Sequence, residues 1–256
     1  MGPLDQISRM LGACGSDQAV LPPTALYNEG WMLRLVLGWY EANAGEPGLI
    51  RFEPGSRWYS EALLGSRFFG THRGDTRAEG WTHADGVIGH FRLCPGGRGD
   101  IELLPDARQL TVTEAKMGSL LSAGTKNAPK FDQAARNLAC IAQQLALAKR
   151  EPIDFTRIEF LVLAPESRIE TGAFAQQLDK DNLRRVVTAR ASAFGEAHVD
   201  WLKRWFEPTL SACVVKAIAW EHLLAEISWQ DPPVGDGLAA FYKQCLIHNP
   251  MVYSHT

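Results

Sequence analysis

Long apolar runs are missing from the 256-residue chain, and none approaches the roughly 18 residues that a membrane-spanning helix requires. The opening residues also lack the basic-then-apolar order that marks a secretory signal. These two absences predict a cytoplasmic protein that has no membrane partner.

Paired cysteines are missing as well. The chain has five cysteines, an odd number, and they are far apart with no Cys-x-x-Cys motif. This spacing argues against a disulfide framework and against a structural zinc site. The cysteines are predicted to be reduced, buried thiols, as is typical of cytoplasmic proteins.

An excess of basic residues is also absent. The chain has 26 Lys and Arg against 29 Asp and Glu, a formal net charge of −3 and a sequence pI near 6.2. Proteins that bind nucleic acid through their whole surface are usually basic. The composition therefore disfavours a strong non-specific binder, although it leaves room for a local basic cleft.

The apolar patterning that is present predicts an α/β protein. Helices are expected at both ends of the chain, with three consecutive strands and a further buried strand between them. The helices are predicted at residues 24–43, 56–68, 127–150, 170–192, 196–206, 209–228 and 235–247, and the strands at 82–93, 100–104, 110–117 and 158–164. Tight turns should join the first three strands into a meander.

The pattern divides the chain into two predicted domains. Residues 1–168 are expected to form an α/β core preceded by a helical arm. Residues 169–256 show helical periodicity and are expected to form a helical C-terminal extension packed on that core.

Two acids and one lysine are predicted to converge at a hairpin. Pro105 and Asp106 are strong turn formers between strands 100–104 and 110–116. Residues symmetric about such a turn lie opposite one another, which would bring Asp100 close to Glu114. Since side chains alternate along a strand, Glu114 and Lys116 should share one face.

This constellation is suited to cleaving phosphodiesters. Asp100, Glu114 and the backbone carbonyl of Ala115 offer the oxygen ligands that Mg²⁺ or Mn²⁺ prefers. A metal at this position activates water and neutralises charge on the phosphate, while Lys116 would orient the attacking water. The interpretation is a metal-dependent nuclease whose substrate is nucleic acid, with DNA expected first.

The segment Gly-Asp-Ile-Glu-Leu-Leu-Pro-Asp-Ala-Arg-Gln-Leu-Thr-Val-Thr-Glu-Ala-Lys, ending at Lys116, resembles the core of the PD-(D/E)XK nuclease superfamily. The resemblance covers residues 56–164 in element order and 100–116 in motif. It implies a restriction-endonuclease-like α-β-β-β-α-β core, a mixed sheet flanked by helices. It also implies that Asp100 and Glu114 are metal ligands and that Lys116 is catalytic.

Other acids compete for the first ligand position. Asp106 belongs to a literal Pro-Asp pair, but it falls where the hairpin must turn. Asp85 lies in the first strand of the meander, which the second strand should separate from Glu114. Glu102 shares a face with Asp100 and is expected to be solvated. Asp100 is therefore the preferred ligand.

The resemblance implies two further site residues. Family members often carry a glutamate on the first core helix, and both Glu61 and Glu29 are available for this role. They also often carry a site-facing polar residue on the helix after the motif, where Gln133 lies. Arg136, Asn137 and Gln144 continue a polar stripe from Gln133 opposite the apolar face of the helix. This stripe is open to two interpretations: it reaches the site or the phosphate backbone, or it is an ordinary solvated surface.

Several other interpretations are weaker. The loop at 118–126 has the wrong spacing for a Walker A motif, and His83, Asp85 and His90 lack a further ligand pair for zinc. A catalytically silent nucleic-acid-binding or protein-interaction module on the same fold is the main alternative to a nuclease. The sequence leaves open the substrate form, a restriction or repair role, and whether the protein is a homodimer.

Overall fold

Seven strands occur in the computed structural model, which describes residues 2–70, 72 and 75–250. They are β1 (Arg57–Leu64), β2 (Thr82–Gly89), β3 (Phe91–Leu93), β4 (Ile101–Leu103), β5 (Gln109–Ala115), β6 (Arg157–Ala164) and β7 (Val214–Ala219). Five of them form one mixed sheet in the order β1-β2-β5-β6-β7, and β3 pairs with β4 alone. The first two pairings in the sheet are antiparallel and the last two are parallel.

Helices flank this sheet, as the α/β prediction required. They are α1 (Pro3–Gly12), α2 (Glu29–Ala42), α3 (Gln133–Ala148), α4 (Glu166–Glu170), α5 (Ala175–Leu178), α6 (Lys180–Ser192), α7 (Glu196–Trp201), α8 (Glu207–Ala212), α9 (Trp220–Gln230) and α10 (Pro232–His248). Among the described residues, no helix combines the length and apolarity needed to cross a membrane.

Each face of the sheet buries its own apolar core. On one face, α3 and α6 pack over β-strand residues such as Val87 and Val112. On the other face, α2, α9 and α10 cover residues such as Ile88 and Leu161. Side chains alternate between the two faces of a strand, so neighbouring strand residues contribute to opposite cores.

The helix predicted at 56–68 is wrong, because residues 57–64 form β1. This strand pairs with β2 from Arg57↔Gly89 to Leu64↔Thr82. Trp58 and Tyr59 are aromatic residues that favour strands. The hydrogen bonds of their backbone are made to β2 instead of within a helix. Glu61 has a φ of 56°, which is incompatible with a right-handed helix.

The predicted three-stranded meander is also wrong. The turn at 94–99 closes a short hairpin between β3 and β4, with Phe91 opposite Leu103 and Leu93 opposite Ile101. Because β4 pairs with β3, β5 lies directly beside β2 in the main sheet. The region predicted as the first strand of the meander is therefore the immediate neighbour of the strand that carries Glu114.

The C-terminal extension contributes to the sheet. Residues 209–228, predicted as one helix, contain the end of α8, the strand β7 and most of α9. β7 pairs in parallel with β6 from Glu159↔Val214 to Ala164↔Ala219. Val214 and Val215 are β-branched, which favours the strand over the predicted helix.

Candidate metal centre

Glu114 and Lys116 project from the carboxyl end of β5 towards α3, on one face as predicted. The Glu114 side chain is fully buried, whereas the Lys116 side chain keeps 10% of its surface exposed. Lys116 Nζ donates a hydrogen bond to Glu114 Oε2 at 3.2 Å. The pair therefore places an ammonium group between a buried carboxylate and solvent.

Asp85 is the acid that joins this pair. The ladder between β2 and β5 ends at Gly86↔Thr113, one residue short of Asp85. Asp85 Oδ2 accepts a hydrogen bond from the Ala115 backbone N–H at 2.8 Å and lies 3.7 Å from Lys116 Nζ. Two carboxylates from neighbouring strands thus meet one amine where the strands separate.

The Ala115 carbonyl oxygen faces the same gap. In an extended strand, the N–H and C=O groups of one residue point to the same side. The Ala115 N–H points to Asp85, so the Ala115 carbonyl is directed towards β2 as well. This geometry keeps Ala115 in the donor set that the sequence predicted.

Two amides on α3 hold the Glu114 carboxylate. Gln133 Nε2 donates to Glu114 Oε2 at 2.5 Å, and Asn137 Nδ2 donates to Glu114 Oε1 at 2.7 Å. Asp132 caps this helix by accepting from the Ala135 N–H at 2.9 Å, which fixes its first turn beside β5. Both oxygens of Glu114 are therefore oriented before any ligand arrives.

The backbone of Lys116 is fixed from both sides. Its N–H donates to the Leu163 carbonyl on β6 at 2.8 Å, and its own carbonyl accepts from Trp220 Nε1 at 3.0 Å. Trp220 is fully buried at the start of α9. The C-terminal part of the chain therefore helps to position the ammonium group.

Electrostatics favour a cation at this point. Burial, followed by the nearby charge of Asp85, raises the pKa of the Glu114 carboxyl to about 8, against the opposing effects of Lys116 and the Asn137 amide. A second cation near Asp85 and Glu114 would stabilise both ionised carboxylates.

This shift predicts how the stability of the metal-free protein depends on pH. A carboxyl whose folded pKa is raised contributes stability that is complete below its unfolded pKa and is lost as pH rises through the folded pKa. We expect the free energy of unfolding in EDTA to fall by about 1 kcal/mol per pH unit from about pH 5, just above the ordinary pKa of a glutamate, to about pH 8, and to level off above about pH 8. Urea unfolding at several pH values measures this slope.

Glu114→Gln is the matched control for that slope. The burial of Glu79 and Asp132 raises the pKa of each in the same direction, and burial lowers the pKa of His198. These groups remain in the variant, so the difference between the two slopes isolates Glu114. Equal slopes for wild type and variant would contradict the assignment.

Asp100 lies elsewhere, and its predicted position opposite Glu114 is wrong. It follows the turn of the β3–β4 hairpin, and its Oδ1 accepts from the Arg98 N–H at 3.0 Å. Its backbone bridges to Leu63 on β1. The predicted site depended on a hairpin between 100–104 and 110–116, and β4 pairs with β3 instead.

The competing acids have ordinary positions. Asp106 is exposed in a turn, as its position next to Pro105 predicted. Glu102 is exposed and accepts from Arg92 Nη2 at 2.8 Å. Among the described residues, neither has a contact that joins it to Glu114 or Lys116.

The two glutamates predicted as candidates on the first core helix do not complete the site. Glu61 lies on β1, and its carboxylate pairs with Arg34 Nη2 at 3.2 Å. Its backbone falls between the pairs Ser60↔Gly86 and Ala62↔Ala84, which places it opposite Asp85. Glu29 is the first residue of α2. A contact of either carboxylate with Glu114 or Lys116 is not found among the described residues.

Gln133 reaches Glu114 as predicted, and Asn137, whose stripe the sequence left open between the site and a solvated surface, reaches it too. Asn137 is fully buried, as is almost all of Gln144, so the polar stripe of α3 faces inward instead of lying on a solvated surface. The signal was available in the sequence, because residues four apart share one face of a helix and Asn137 follows Gln133 by four.

The loop at 118–126 supports the site from outside. The Ser122 N–H donates to Gln133 Oε1 at 3.1 Å, and Arg136 Nη2 donates to Ser122 Oγ at 2.9 Å. Lys126 and Arg136 line one cavity beside Trp81, whereas Lys130 lines a different one. Arg73, also expected to contribute positive charge, falls outside the described residues.

A zinc cluster is not supported. His90 Nε2 lies 3.1 Å from the Pro54 carbonyl, and its Nδ1 accepts from the backbone of Arg108 and Gln109. Within the described part of the chain, no group of three or more His, Cys, Asp or Glu side chains could hold a metal ion. The candidate metal centre instead has two carboxylates and a backbone carbonyl as donors, and coordinated waters would supply the remaining ligands.

Comparison of the chain with protein-family models, curated proteins and solved structures finds no match. The candidate metal centre therefore rests on the geometry of Asp85, Glu114, Ala115 and Lys116.

Proposed function

We propose that the protein is a Mg²⁺- or Mn²⁺-dependent nuclease that hydrolyses phosphodiester bonds, with DNA as the expected substrate. The observation that carries the proposal is the meeting of Asp85, Glu114 and Lys116 within 4 Å at the point where β2 and β5 separate. Asp85 takes the ligand position that the sequence assigned to Asp100.

The order of the elements supports a restriction-endonuclease-like core. The chain runs α2, β1, β2, β5, α3, β6, which follows the α-β-β-β-α-β order that the resemblance implies. Asp85 then lies on the second core strand, and the Glu-x-Lys motif ends the third. The β3–β4 hairpin becomes an insertion between these two strands.

The residues present fit a divalent cation. Asp85, Glu114 and the Ala115 carbonyl would hold it through oxygen atoms, the ligands that Mg²⁺ prefers. When bound, the metal lowers the pKa of a coordinated water and neutralises negative charge on the phosphate. Gln133 and Asn137 keep the Glu114 oxygens in place, which is the role of outer groups around metal ligands.

Lys116 is proposed to orient the attacking water. An ammonium group has three hydrogen-bond donors, and two of them can be directed at Glu114 and Asp85. The third remains for a water molecule or a phosphate oxygen on the exposed side. Because its backbone is held by β6 and Trp220, the ammonium group can act without a large rearrangement.

Cleavage assays test the proposal. Purified protein would be incubated with end-labelled single-stranded DNA, duplex DNA and RNA in Mg²⁺, Mn²⁺ or EDTA. We expect metal-dependent cleavage of at least one substrate, and none by the double variant Asp85→Asn/Glu114→Gln purified in parallel. Metal-independent cleavage, or no cleavage of any substrate, would contradict the proposal; metal and nucleic-acid binding without cleavage would favour the silent module.

A further inference from the structure

A further cavity lies between the β3–β4 hairpin, the C-terminal half of α3 and the segments that flank β1 and β2, and none of its lining residues belongs to the candidate metal centre. Its volume is about 630 Å³, within the range of small-molecule binding sites. We propose that this cavity binds a single unstacked nucleobase of the substrate strand, so that the nuclease acts on single-stranded nucleic acid. This inference rests on the proposed function and adds a substrate class to it.

The wall of the cavity is aromatic. Trp81 and Phe69 are 48% and 40% exposed, and their rings make an edge-to-face contact with centroids 5.4 Å apart. Large aromatic side chains left this exposed beside a cavity are suited to stacking, since each nucleobase presents a flat π face.

Three side chains converge on one small residue. A Cβ atom placed on Gly65 would lie 3.6 Å from Trp81 Cζ3, 3.8 Å from Phe69 Cε2 and 3.8 Å from Gln144 Nε2. These are ordinary contact distances, so a larger residue at Gly65 would fill the space next to the rings. The absence of a side chain at Gly65 keeps the cavity open.

Two glutamine amides, of Gln143 and Gln144, also line the cavity. Gln144 is only 3% exposed. The neighbouring Gln143 Oε1 is buried and unpaired within the described part of the chain. Buried polar atoms are normally satisfied, so an unpaired amide oxygen at the cavity, next to a second glutamine amide, points to a ligand that has hydrogen-bonding groups. The edge of a nucleobase has such groups.

The charges that line the cavity disfavour a phosphate. Asp100 and Glu102 are among its lining residues, and Arg92 pairs with Glu102. A phosphate in the cavity would face the carboxylate of Asp100, which favours an uncharged ring there.

Phosphates would bind outside this cavity. Trp81 also borders a separate cavity of about 280 Å³ that is lined by Lys126 and Arg136. Arg136 reaches Ser122, which contacts Gln133 and so adjoins the candidate metal centre. Trp81 is four residues from Asp85, roughly 13 Å at the rise of a strand.

These positions define a path for one strand. One base of the nucleic-acid strand enters the cavity beside Trp81 and Phe69. The phosphates of that strand pass Lys126 and Arg136, and the next nucleotides reach Asp85. A base stacked within an intact duplex cannot enter such a cavity without leaving its neighbours, so the path selects unpaired strands.

Binding measured without metal tests this inference separately from cleavage. Fluorescence anisotropy in EDTA would compare a labelled single-stranded DNA 15-mer with its duplex for wild type, Trp81→Ala, Trp81→Phe and Gly65→Val. Loss of one stacked base is expected to raise the Kd for the single strand about tenfold in Trp81→Ala and Gly65→Val, with less than about threefold change in Trp81→Phe. The Kd for duplex should stay unchanged.

Trp229→Ala is the matched control, because Trp229 is 84% exposed and distant in sequence from the cavity. Wild-type-like binding by both Trp81→Ala and Gly65→Val would overturn the inference, as would a wild type that does not bind the single strand. Adenosine monophosphate would also be tested as a competitor. If it displaced the labelled 15-mer as strongly as unlabelled 15-mer does, the cavity would be a mononucleotide site and the proposed path for a nucleic-acid strand would be overturned. Metal-dependent cleavage of duplex DNA by wild type would survive any of these results, so the two proposals can fail separately.

Discussion

Asp85→Asn is expected to reduce metal-dependent cleavage by more than about 100-fold. Loss of a residue that only hydrogen-bonds to a metal ligand typically costs about 10- to 100-fold, and loss of a ligand should cost more. Asparagine has nearly the same shape as aspartate, and its carbonyl can still accept the hydrogen bond from Ala115 that Asp85 accepts. What it removes is the negative charge that would help to hold the cation. Initial rates on the preferred substrate would measure the effect.

Asp100→Asn is the matched variant for this experiment. It makes the same chemical change at an acid that follows the β3–β4 turn, where Asp100 accepts a hydrogen bond from the Arg98 backbone. We expect it to retain most of the wild-type rate. Loss of activity in Asp100→Asn with retention in Asp85→Asn would return the ligand role to Asp100, and thermal melts would confirm that both variants fold.

Lys116→Met is expected to lose cleavage by more than about 100-fold while Mn²⁺ binding is retained or strengthened. Methionine keeps much of the lysine stem but removes the ammonium group that lies 3.2 Å from Glu114. Without this positive charge, a cation near Asp85 and Glu114 experiences less repulsion. Cleavage rates and Mn²⁺ affinity would be measured on the same preparations.

The exposed Lys243 on α10 provides a control for the lysine variant. Lys243→Met makes the same substitution outside the candidate metal centre and should cleave like wild type. If Lys116→Met cleaved at the wild-type rate, Lys116 would have no role in orienting water. If it lost Mn²⁺ binding together with cleavage, its role would be structural.

The sequence predicted one half of the candidate site because that half is local. Glu114 and Lys116 lie two apart on a strand rich in β-branched residues, so alternation alone places both on one face. The resemblance similarly assigned Gln133 to the site from its place in the first turns of the following helix. These relations depend only on neighbours along the chain.

The other half depends on which strands pair, and proximity along the chain was misleading. Asp100 is closer in sequence to Glu114 than Asp85 is, but the Gly-rich turn at 94–99 lets β3 and β4 pair with each other. Strand pairing over such distances is decided by burial of whole faces, which a local pattern does not contain. The strand at 57–64 was predicted as a helix for a related reason: it pairs with β2, about 25 residues later in the chain, and a local pattern does not contain that pairing.

Binding of Mn²⁺ to wild type and Asp85→Asn, followed by the electron paramagnetic resonance signal of the free ion, tests the central claim most directly. The account predicts that wild type binds Mn²⁺, that Asp100→Asn binds it with the same affinity, and that Asp85→Asn binds it at least about tenfold more weakly. Equal affinity in wild type and Asp85→Asn, or no binding by wild type at millimolar Mn²⁺, would contradict a metal centre built on Asp85 and Glu114.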